Sequence, residues 1–378
     1  MFSQNICTSC FKRLVSRSSL DVSKFAATQS NLSIGFQFNR FLRTSHSLVQ
    51  KNNRYSDKPD TQLPVRYLYV HTSIGRWVDI PDGLVFDVGY GDSMPDKPWT
   101  RATPTVLGLH STPGSHEDLG PLLQPFVKLG CRVIAPNFPG FDYTEGIISP
   151  YNDVFTHSTD EKAEFVRDFL HNMGVESVDL VIGHGAACNP LLRLATTKET
   201  AHLFKSAVLI SPWPHRPFRG INPYSLHQRI TALWDRPALR FMCRLLARRA
   251  AKSLGLQGHS INSVIRTSQT VTNMGFDEIA GILIAADMLM LPCAVFYSGD
   301  DKFIEEDIYK EFLHLMGISA DREMVVGEDG KICVPASVEG FPKTLRFESG
   351  GQDLHTRYPG LINAVSWSLL QHVRPDAR

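Results

Sequence analysis

The sequence has no long apolar run, little cysteine and almost no net charge, and each absence excludes a class of protein. No stretch approaches the roughly 18–20 consecutive apolar residues of a membrane-spanning helix, which excludes a helical membrane protein. Seven cysteines in 378 residues are too few for a disulfide scaffold. A formal charge of +1 argues against a nucleic-acid-binding protein, whose basic surface would dominate the sum. What remains is a chain of ordinary composition, long enough for one large α/β domain or two smaller domains.

The first fifty residues differ from the rest of the chain in charge. Residues 1–50 contain six basic residues, ten serines and a single acidic residue, Asp21, and they lack the unbroken apolar core of a secretory signal. This composition is typical of a mitochondrial transit peptide, so the sequence predicts a protein of the mitochondrial matrix. The segment Arg40–Ser45 resembles a matrix processing pattern and predicts cleavage near Val49. The alternative is a disordered N-terminal tail on a cytoplasmic protein.

From Leu63 onward, strand patterns alternate with helical patterns. The apolar run Thr105–Leu109 is typical of a strand buried on both faces, and Thr159–Asn172 has the spacing of an amphipathic helix. Such alternation predicts an α/β fold, with a mostly parallel twisted sheet and helices on both faces. Between two strands, residues 213–291 show helical patterns alone, which predicts a lid over the carboxyl ends of the strands. The predicted organisation is a core of residues 60–212 and 292–378 and a helical lid insertion of residues 213–291.

Three short segments at predicted strand ends form turns with a recognisable pattern. The first is His110-Ser111-Thr112-Pro113-Gly114, the second is Pro136-Asn137-Phe138-Pro139-Gly140, and the third is Gly183-His184-Gly185-Ala186-Ala187. In this order they resemble the H-G-x-P-G oxyanion loop, the P-D-x-P-G segment and the G-x-S-x-G nucleophile elbow of α/β-hydrolases. Over residues 60–378 the chain is therefore similar to the α/β-hydrolase superfamily of the AB hydrolase-1 type. It most resembles a branch best represented in nematodes.

The resemblance implies a Ser-His-Asp triad, but two of the three triad positions hold other residues. Acyl transfer needs a nucleophile, a base, an acid that orients the base, and donors for the oxyanion. The nucleophile position is Gly185, the acid position matches Asp301, and the base position after the last strand is Gln352. This degenerate triad predicts a hydrolase fold without hydrolysis, retained as a ligand-binding or regulatory protein. The candidate oxyanion or ligand-loop residues are His110, Ser111, Thr112, Gly114 and Ala186.

A displaced base would give the opposite interpretation. His355 lies three residues after Gln352, and as a replacement base it would make the chain an active hydrolase. The substrate would then be a small ester, an epoxide-like molecule or a lipid. The two interpretations differ in whether His355 faces the site of the triad.

The predicted lid contains a strongly basic segment. A helix is expected from about Asp235 to Ser253, with basic residues at four-residue spacing that include Arg240, Arg244, Arg248 and Lys252. Such a helix is typical of contact with an anionic membrane or an acidic protein partner. The alternative is a solvated helix face whose apolar side covers the core. A small apolar ligand in the lid pocket is a further expected partner.

The sequence predicts no cofactor and no metal. Cys7 and Cys10 form a CxxC pair, but no second pair accompanies them.

Overall fold

The computed structural model of the protein describes residues 63–72, 80, 82–144, 154–253, 256 and 259–376. The predicted transit peptide of residues 1–50, with its cleavage position, lies outside the described residues. Within them, strands and helices alternate along the chain as the apolar patterns predict.

One sheet of ten strands runs through the described part of the chain, in the spatial order β1-β2-β4-β3-β5-β6-β7-β10-β8-β9. From β4 to β8 in this order all neighbours are parallel, and the pairs β1–β2, β2–β4 and β8–β9 are antiparallel. The sheet is thus mostly parallel, as predicted. The strands are β1 Val65–His71, β2 Val85–Asp92, β3 Thr105–Leu109, β4 Arg132–Pro136, β5 Leu180–His184, β6 Ala207–Ile210, β7 Cys293–Ser298, β8 Glu323–Val326, β9 Ile332–Val334 and β10 Lys343–Phe347.

Helices cover both faces of this sheet. Successive strand residues point to opposite faces, so Leu107 and Val181 join one apolar cluster while Val106 and Leu180 join the other. None of the described helices has the length and apolar character needed to cross a bilayer. The helices are α1 Gly120–Lys128, α2 Thr159–Asn172, α3 Cys188–Thr196, α4 Tyr224–Trp234, α5 Arg240–Ser253, α6 Ile261–Asn273, α7 Phe276–Met288, α8 Glu306–Leu315, α9 Leu354–Arg357 and α10 Pro359–Val373.

The helical insertion between β6 and β7 consists of α4 to α7. Helix α5 begins at Arg240, not at Asp235, because Asp235 ends α4 and Pro237 opens a separate 3-10 turn, Pro237–Leu239. The insertion has an apolar cluster of its own, in which small side chains of α5 pack against α4 and α6. The buried members of this cluster are Ile230, Cys243, Ala247, Ala250, Ala251, Val264 and Ile265.

Polar contacts fasten the insertion to the core. The Thr159 hydroxyl, in the first turn of α2, donates to the Met274 carbonyl at 2.8 Å. Arg266 of α6 lies with Nη1 3.2 Å from Nε2 of His157. The same arginine side chain lies against Gly140, which follows β4 and has a φ of +78°. The lid therefore rests on the turn after β4 and on the start of α2.

A β-hairpin extends the sheet beyond the last core strand. Strand β8 pairs parallel to β10 and antiparallel to β9, so the hairpin adds two strands to that edge. Val326 of β8 is buried, whereas all three residues of β9 are exposed. The outermost strand at this edge of the sheet, β9, is thus very short and lies in solvent.

Candidate active site

The turn between β5 and α3 has the geometry of a nucleophile elbow. After His184, residues Gly185–Ala187 form a 3-10 turn that leads into α3. Gly185 has a φ of +57°, in the left-handed region that the sharp strand-to-helix turn requires. Ala186 and Ala187 are buried, so the turn is closed to solvent on that side. The elbow backbone is therefore kept, while its central residue offers no side chain that could attack a substrate.

Ser111 fills the space where an elbow side chain would stand. A Cβ atom built on Gly185 would overlap the Ser111 hydroxyl, and it would lie 3.1 Å from Ser111 Cβ and 3.6 Å from Nε1 of Trp213. The Trp213 amide also donates to the Gly185 carbonyl at 3.2 Å. The oxyanion-loop residue that departs from the family pattern thus occupies the volume left by the missing nucleophile.

Gln352 lies beside the acid of the degenerate triad. Its Nε2 donates to Oδ2 of Asp301 and, at 3.2 Å, to the Tyr309 hydroxyl. Tyr309 in turn donates to the same carboxylate oxygen at 2.9 Å, and the amides of Phe303 and Ile304 donate to the other oxygen at 2.7 and 3.2 Å. Burial raises the pKa of Asp301, and these hydrogen bonds oppose that effect. The acid is present and both of its carboxylate oxygens accept hydrogen bonds. Its partner, however, is an amide that cannot accept a proton at nitrogen.

The loop that carries Gln352 is tied to the elbow through its backbone. The Gln352 carbonyl lies 3.1 Å from Nε2 of His184 and accepts a hydrogen bond from Ser211 at 3.1 Å. His184 directly precedes Gly185, so the nucleophile and base positions are one hydrogen bond apart through this ring. The three predicted triad positions are therefore brought together, with two of them chemically changed.

His110 holds the oxyanion loop in place. Its Nε2 accepts from the Phe138 amide at 2.9 Å, so its proton lies on Nδ1, which donates to the Ser111 carbonyl at 2.6 Å. Burial lowers the pKa of His110 to about 3, and the ring stays neutral at physiological pH. Gly114 leaves room for Asp118, whose Oδ2 would lie 2.9 Å from a Cβ at this position. His110 is thus fully used by the loop and has no spare nitrogen for a substrate.

A buried lysine that the sequence analysis missed contacts the same loop. Lys162 of α2 donates to the hydroxyls of Thr112 at 3.1 Å and Thr270 at 2.8 Å. Its ammonium also lies 5.5 Å and 5.9 Å from the ring centroids of Phe138 and Phe141. Burial lowers the pKa of Lys162 to about 7. This side chain connects the oxyanion loop to helix α6 of the lid.

Lys162 could have been found from the periodicity of its helix. It shares the buried face of α2 with Thr159, Ala163 and Val166, at three- and four-residue spacing. The run of charged residues around it is typical of a solvated helix start, and that signal obscured the apolar face.

His355 lies with His184 and not with the acid. Its ring, in α9, has its centroid 4.2 Å from that of His184, and its Nδ1 has no hydrogen-bond partner among the described residues. Burial, reinforced by His184, lowers the pKa of His355 to about 3. Ligand atoms of His184, His355 and the exposed Asp353 lie within 4.8 Å of one another, which makes this trio a candidate metal-binding set. The predicted rescue base is thus neutral and belongs to a neighbouring cluster.

Aromatic side chains close the space above the elbow. Trp213, Phe218 and Phe303 pack with ring centroids 5.3–5.9 Å apart, and the first two are almost fully buried. An open cavity of about 340 Å³ lies at the surface of the lid, beside α5 and the start of α6. It is lined by Arg244, Arg248, Ser260, Ile261 and Asn262.

The basic helix α5 exposes both charge and apolar surface. Arg244, Arg248 and Lys252 are exposed, whereas Arg240 is half-buried and lies over the ring of Trp234 at 4.8 Å. Cys243, several alanines and the half-buried Leu246 pack toward α4 and α6, whereas three other large apolar side chains face solvent. These are Phe241, Met242 and Leu245, which are 65%, 44% and 57% exposed.

Solved structures with the same architecture include several hydrolytic enzymes, all at low sequence identity. A candidate lipase from Acinetobacter baumannii AYE is 13% identical with a TM-score of 0.54, covering 94% of this chain and 100% of its own. A membrane phospholipase A, a bacterial virulence factor, is 13% identical with a TM-score of 0.52, covering 91% and 95%. The haloalkane dehalogenase DbeA from Bradyrhizobium elkani USDA94 is 13% identical with a TM-score of 0.51, covering 82% and 100%. At this identity the likeness shows the α/β-hydrolase fold alone, and it confirms the predicted fold class.

Sequence comparison identifies the family. No curated protein matches the sequence. A family model described as "Alpha/beta hydrolase of unknown function (DUF1057)" matches residues 84–320, which is more than half of the chain. The match spans the oxyanion loop, the elbow, the lid and the segment that contains Asp301. This chain therefore belongs to the DUF1057 family of α/β-hydrolases.

Proposed function

We propose that this protein is an α/β-hydrolase that has lost Ser-His-Asp catalysis and acts as a binding or regulatory protein. The observation that carries the proposal is the Gln352 amide bonded to Asp301 at the base position, together with Gly185 at the elbow. Glycine cannot form an acyl-enzyme, and an amide cannot deprotonate a hydroxyl or a water. The nucleophile and the base that the usual two-step acyl transfer requires are therefore both missing from the triad positions.

The closed elbow and the charged lid cavity indicate what kind of ligand to expect. Ser111 and Trp213 occupy the volume near Gly185, which leaves little room for an acyl group. Two of the residues that line the lid cavity are Arg244 and Arg248, whose positive charges favour an anionic ligand over the small apolar ligand expected from the sequence.

The loss of catalysis is tested with an active-site probe and an ester. The purified full chain should show no labelling by a fluorophosphonate and no hydrolysis of short acyl esters above the rate of a heat-treated sample. Stoichiometric labelling, or turnover that co-purifies with the folded protein, would overturn the proposal.

The competing interpretation, in which His355 is a displaced base, has a test of its own. If this histidine were a displaced base, any measured hydrolysis would be abolished by His355→Ala and unaffected by His202→Ala, an exposed histidine elsewhere. We expect neither variant to change the ester background. Its burial and its position beside His184 argue against the role of base.

We further propose that α5 docks on an anionic membrane surface. The supporting observation is that its exposed side carries Phe241, Met242 and Leu245 beside Arg244, Arg248 and Lys252. An interfacial helix gains from inserting apolar side chains and from attracting anionic lipids at once. A helix that only covered the core would have turned Phe241, Met242 and Leu245 inward together with Leu246.

Vesicle-binding measurements distinguish the contribution of the charged side chains from that of the apolar side chains. Full-length protein should co-sediment with vesicles of anionic phospholipid, and Arg244→Gln, Arg248→Gln and Lys252→Gln together should weaken binding about 100-fold, at about 1 kcal/mol per charge. The same change at the exposed Lys128, Lys198 and Lys302 should have a small effect. Phe241→Ser with Leu245→Ser should weaken binding to neutral and anionic vesicles alike. Absence of binding at low salt would exclude a membrane and leave an acidic protein as the partner to test.

A further inference from the structure

Three side chains with metal-ligand chemistry meet beside the degenerate triad. His184 comes from the end of β5, and Asp353 and His355 come from the loop and the short helix α9 that follow β10. One ligand atom from each residue lies within 4.8 Å of the other two. Two imidazoles and one carboxylate form a donor set that late divalent transition metals prefer.

A second observation points to a ligand at this place. His355 is 4% exposed, yet its Nδ1 has no hydrogen-bond partner among the described residues. A buried polar atom left unpaired costs roughly 1–3 kcal/mol, and in native proteins such an atom usually marks a bound water, an ion or a functional role. The His355 ring centroid lies 4.2 Å from that of His184, so this nitrogen belongs to the same cluster.

His184 has the hydrogen-bond partner that metal-binding histidines generally have. Its Nε2 lies 3.1 Å from the Gln352 carbonyl, and donation to this carbonyl leaves the lone pair on its other nitrogen. Metal ligands of this type almost always donate their second N–H to a carbonyl, a carboxylate or a water. The carbonyl belongs to Gln352, so the residue that replaces the catalytic base would orient a metal ligand.

We propose that His184, Asp353 and His355 bind one divalent transition metal ion, with Zn²⁺ as the best match to two nitrogens and one oxygen. Zinc bonds of about 2.0–2.2 Å require ligand atoms closer together than 4.8 Å, so the set must contract on binding. Asp353 is exposed and can supply this movement, whereas both histidines are held by packing. Three protein ligands leave at least one coordination position for water or an anion.

The proposed ion would connect the two loops that carry the nucleophile and base positions. It would bridge the end of β5, next to Gly185, to the start of α9, next to Gln352. The site would then stabilise the elbow region in place of the lost triad contacts. This inference does not depend on the absence of Ser-His-Asp catalysis, because either can fail alone: the ester assay tests one and metal binding the other.

The test measures metal binding by the full chain in a background that removes competing thiols. Cys7→Ser, Cys10→Ser and Cys333→Ser together define this background, since thiolates bind zinc tightly. After treatment with a chelator, calorimetric titration with Zn²⁺ should give one equivalent. Co²⁺ should give visible absorption bands of low symmetry without a thiolate charge-transfer band.

Variants then assign the ligands. Asp353→Asn and His355→Gln should each weaken Zn²⁺ binding about tenfold or more, because loss of even a residue that only hydrogen-bonds to a ligand costs about 10–100-fold. His202→Gln, at an exposed histidine, should leave the affinity unchanged. Asp353 is at the surface, so its variant stays informative if His355→Gln does not fold. Absence of stoichiometric binding, or equal affinity in Asp353→Asn and the background protein, would overturn the proposal.

Discussion

The Ser111 side chain determines what a restored nucleophile would meet. A serine at position 185 would adopt a left-handed conformation at a cost of about 1–2 kcal/mol and would collide with the Ser111 hydroxyl. We therefore expect Gly185→Ser alone to lower the free energy of unfolding and to gain no activity. We expect the triple variant Ser111→Gly, Gly185→Ser and Gln352→His to react with a fluorophosphonate, because it restores nucleophile, base and space.

The measurement is gel detection of labelling, alongside chemical unfolding of each variant. Ser111→Gly with Gln352→His, which lacks a nucleophile, is the matched control and should stay unlabelled. Equal stability of Gly185→Ser and the parent would show that position 185 is open, contrary to the contact with Ser111.

Lys162 gives the protein a pH-dependent stability. Its pKa in the folded state is about 7, below its ordinary value of 10.5, so the unfolded chain binds more protons between these pH values. The contribution of Lys162 to stability therefore rises with pH across this window and is lost as pH falls toward 7. We expect Lys162→Met to stabilise the protein at pH 7 by on the order of 4 kcal/mol, and the gain to shrink toward pH 10.

Urea unfolding of both proteins at pH 7, 8, 9 and 10 measures this difference directly. Lys128→Met, at an exposed position of α1, controls for the loss of one charge and should show a constant, small difference. A gain from Lys162→Met that does not change with pH would contradict the lowered pKa of this buried amine.

The site residues that could be predicted are those that lie within a short motif of the sequence, and the contacts between distant segments could not be predicted. Gly185 and Gln352 were predictable because each sits inside a short motif whose neighbours are intact. The role of Ser111 in filling the elbow was not, since it depends on a contact between two strand ends. The cluster of His184 and His355 was likewise hidden, because its members are far apart in sequence and meet only through the parallel pairing of strands β5, β6, β7 and β10.

At the scale of elements, the packing of the lid against the core depends on the close approach of Arg266 to Gly140. A Cβ at position 140 would overlap the guanidinium of Arg266 and displace it from His157. We expect Gly140→Ala to destabilise the protein and to increase amide exchange at the start of α6. Gly174→Ala is the matched control, since Gly174 also has a positive φ, +66°, but a Cβ at that position would have nothing within 4 Å.

The difference between the two alanine variants isolates the lid contact from the backbone conformation. In an Arg266→Ala background, Gly140→Ala should cost no more than Gly174→Ala does, within about 0.5 kcal/mol. A Gly140→Ala cost that persists in this background would assign the effect to the backbone and not to the lid.

Elements were easier to predict than the way they meet. Helix Thr159–Asn172 begins and ends where the helical periodicity places it, because it buries a continuous apolar face. Helix α5 was predicted five residues too early, since Pro237 permits a helix start but here opens a separate 3-10 turn. The direction of its apolar side was also not predictable, because Cys243, the alanines beside it and Leu246 pack inward while Phe241, Met242 and Leu245 do not.

On the scale of the whole molecule, charge is unevenly distributed. Residues 51–378 carry 33 basic and 37 acidic residues, so the basic helix α5 is a local exception on a slightly acidic body. Such a charge distribution would orient the molecule before contact, with α5 toward an anionic surface and the rest of the body away from it. The orientation would weaken with salt on the scale of the Debye length, about 8 Å at physiological ionic strength.

The transit peptide predicted for residues 1–50 implies that the protein is imported into mitochondria. A fluorescent protein fused to the C-terminus of the full chain should accumulate in mitochondria of a eukaryotic host. A chain that starts with Met followed by residues 50–378 should remain in the cytoplasm. Mass spectrometry of the imported protein should find a new N-terminus near Val49, and Arg40→Ala should shift it. Cytoplasmic fluorescence from both fusions would contradict the prediction and favour a simple N-terminal tail.

The hairpin β8–β9 has a consequence for how this protein behaves at high concentration. A core strand such as β10, left at the rim of the sheet, would offer unpaired amides and carbonyls to another chain, a starting point for aggregation. The hairpin covers that rim and ends the sheet in β9, only three residues long, with Lys331 before it and Pro335 after it. Charge, brevity and proline each oppose pairing between molecules. Deleting the hairpin would therefore replace a small surface feature with an aggregation-prone edge.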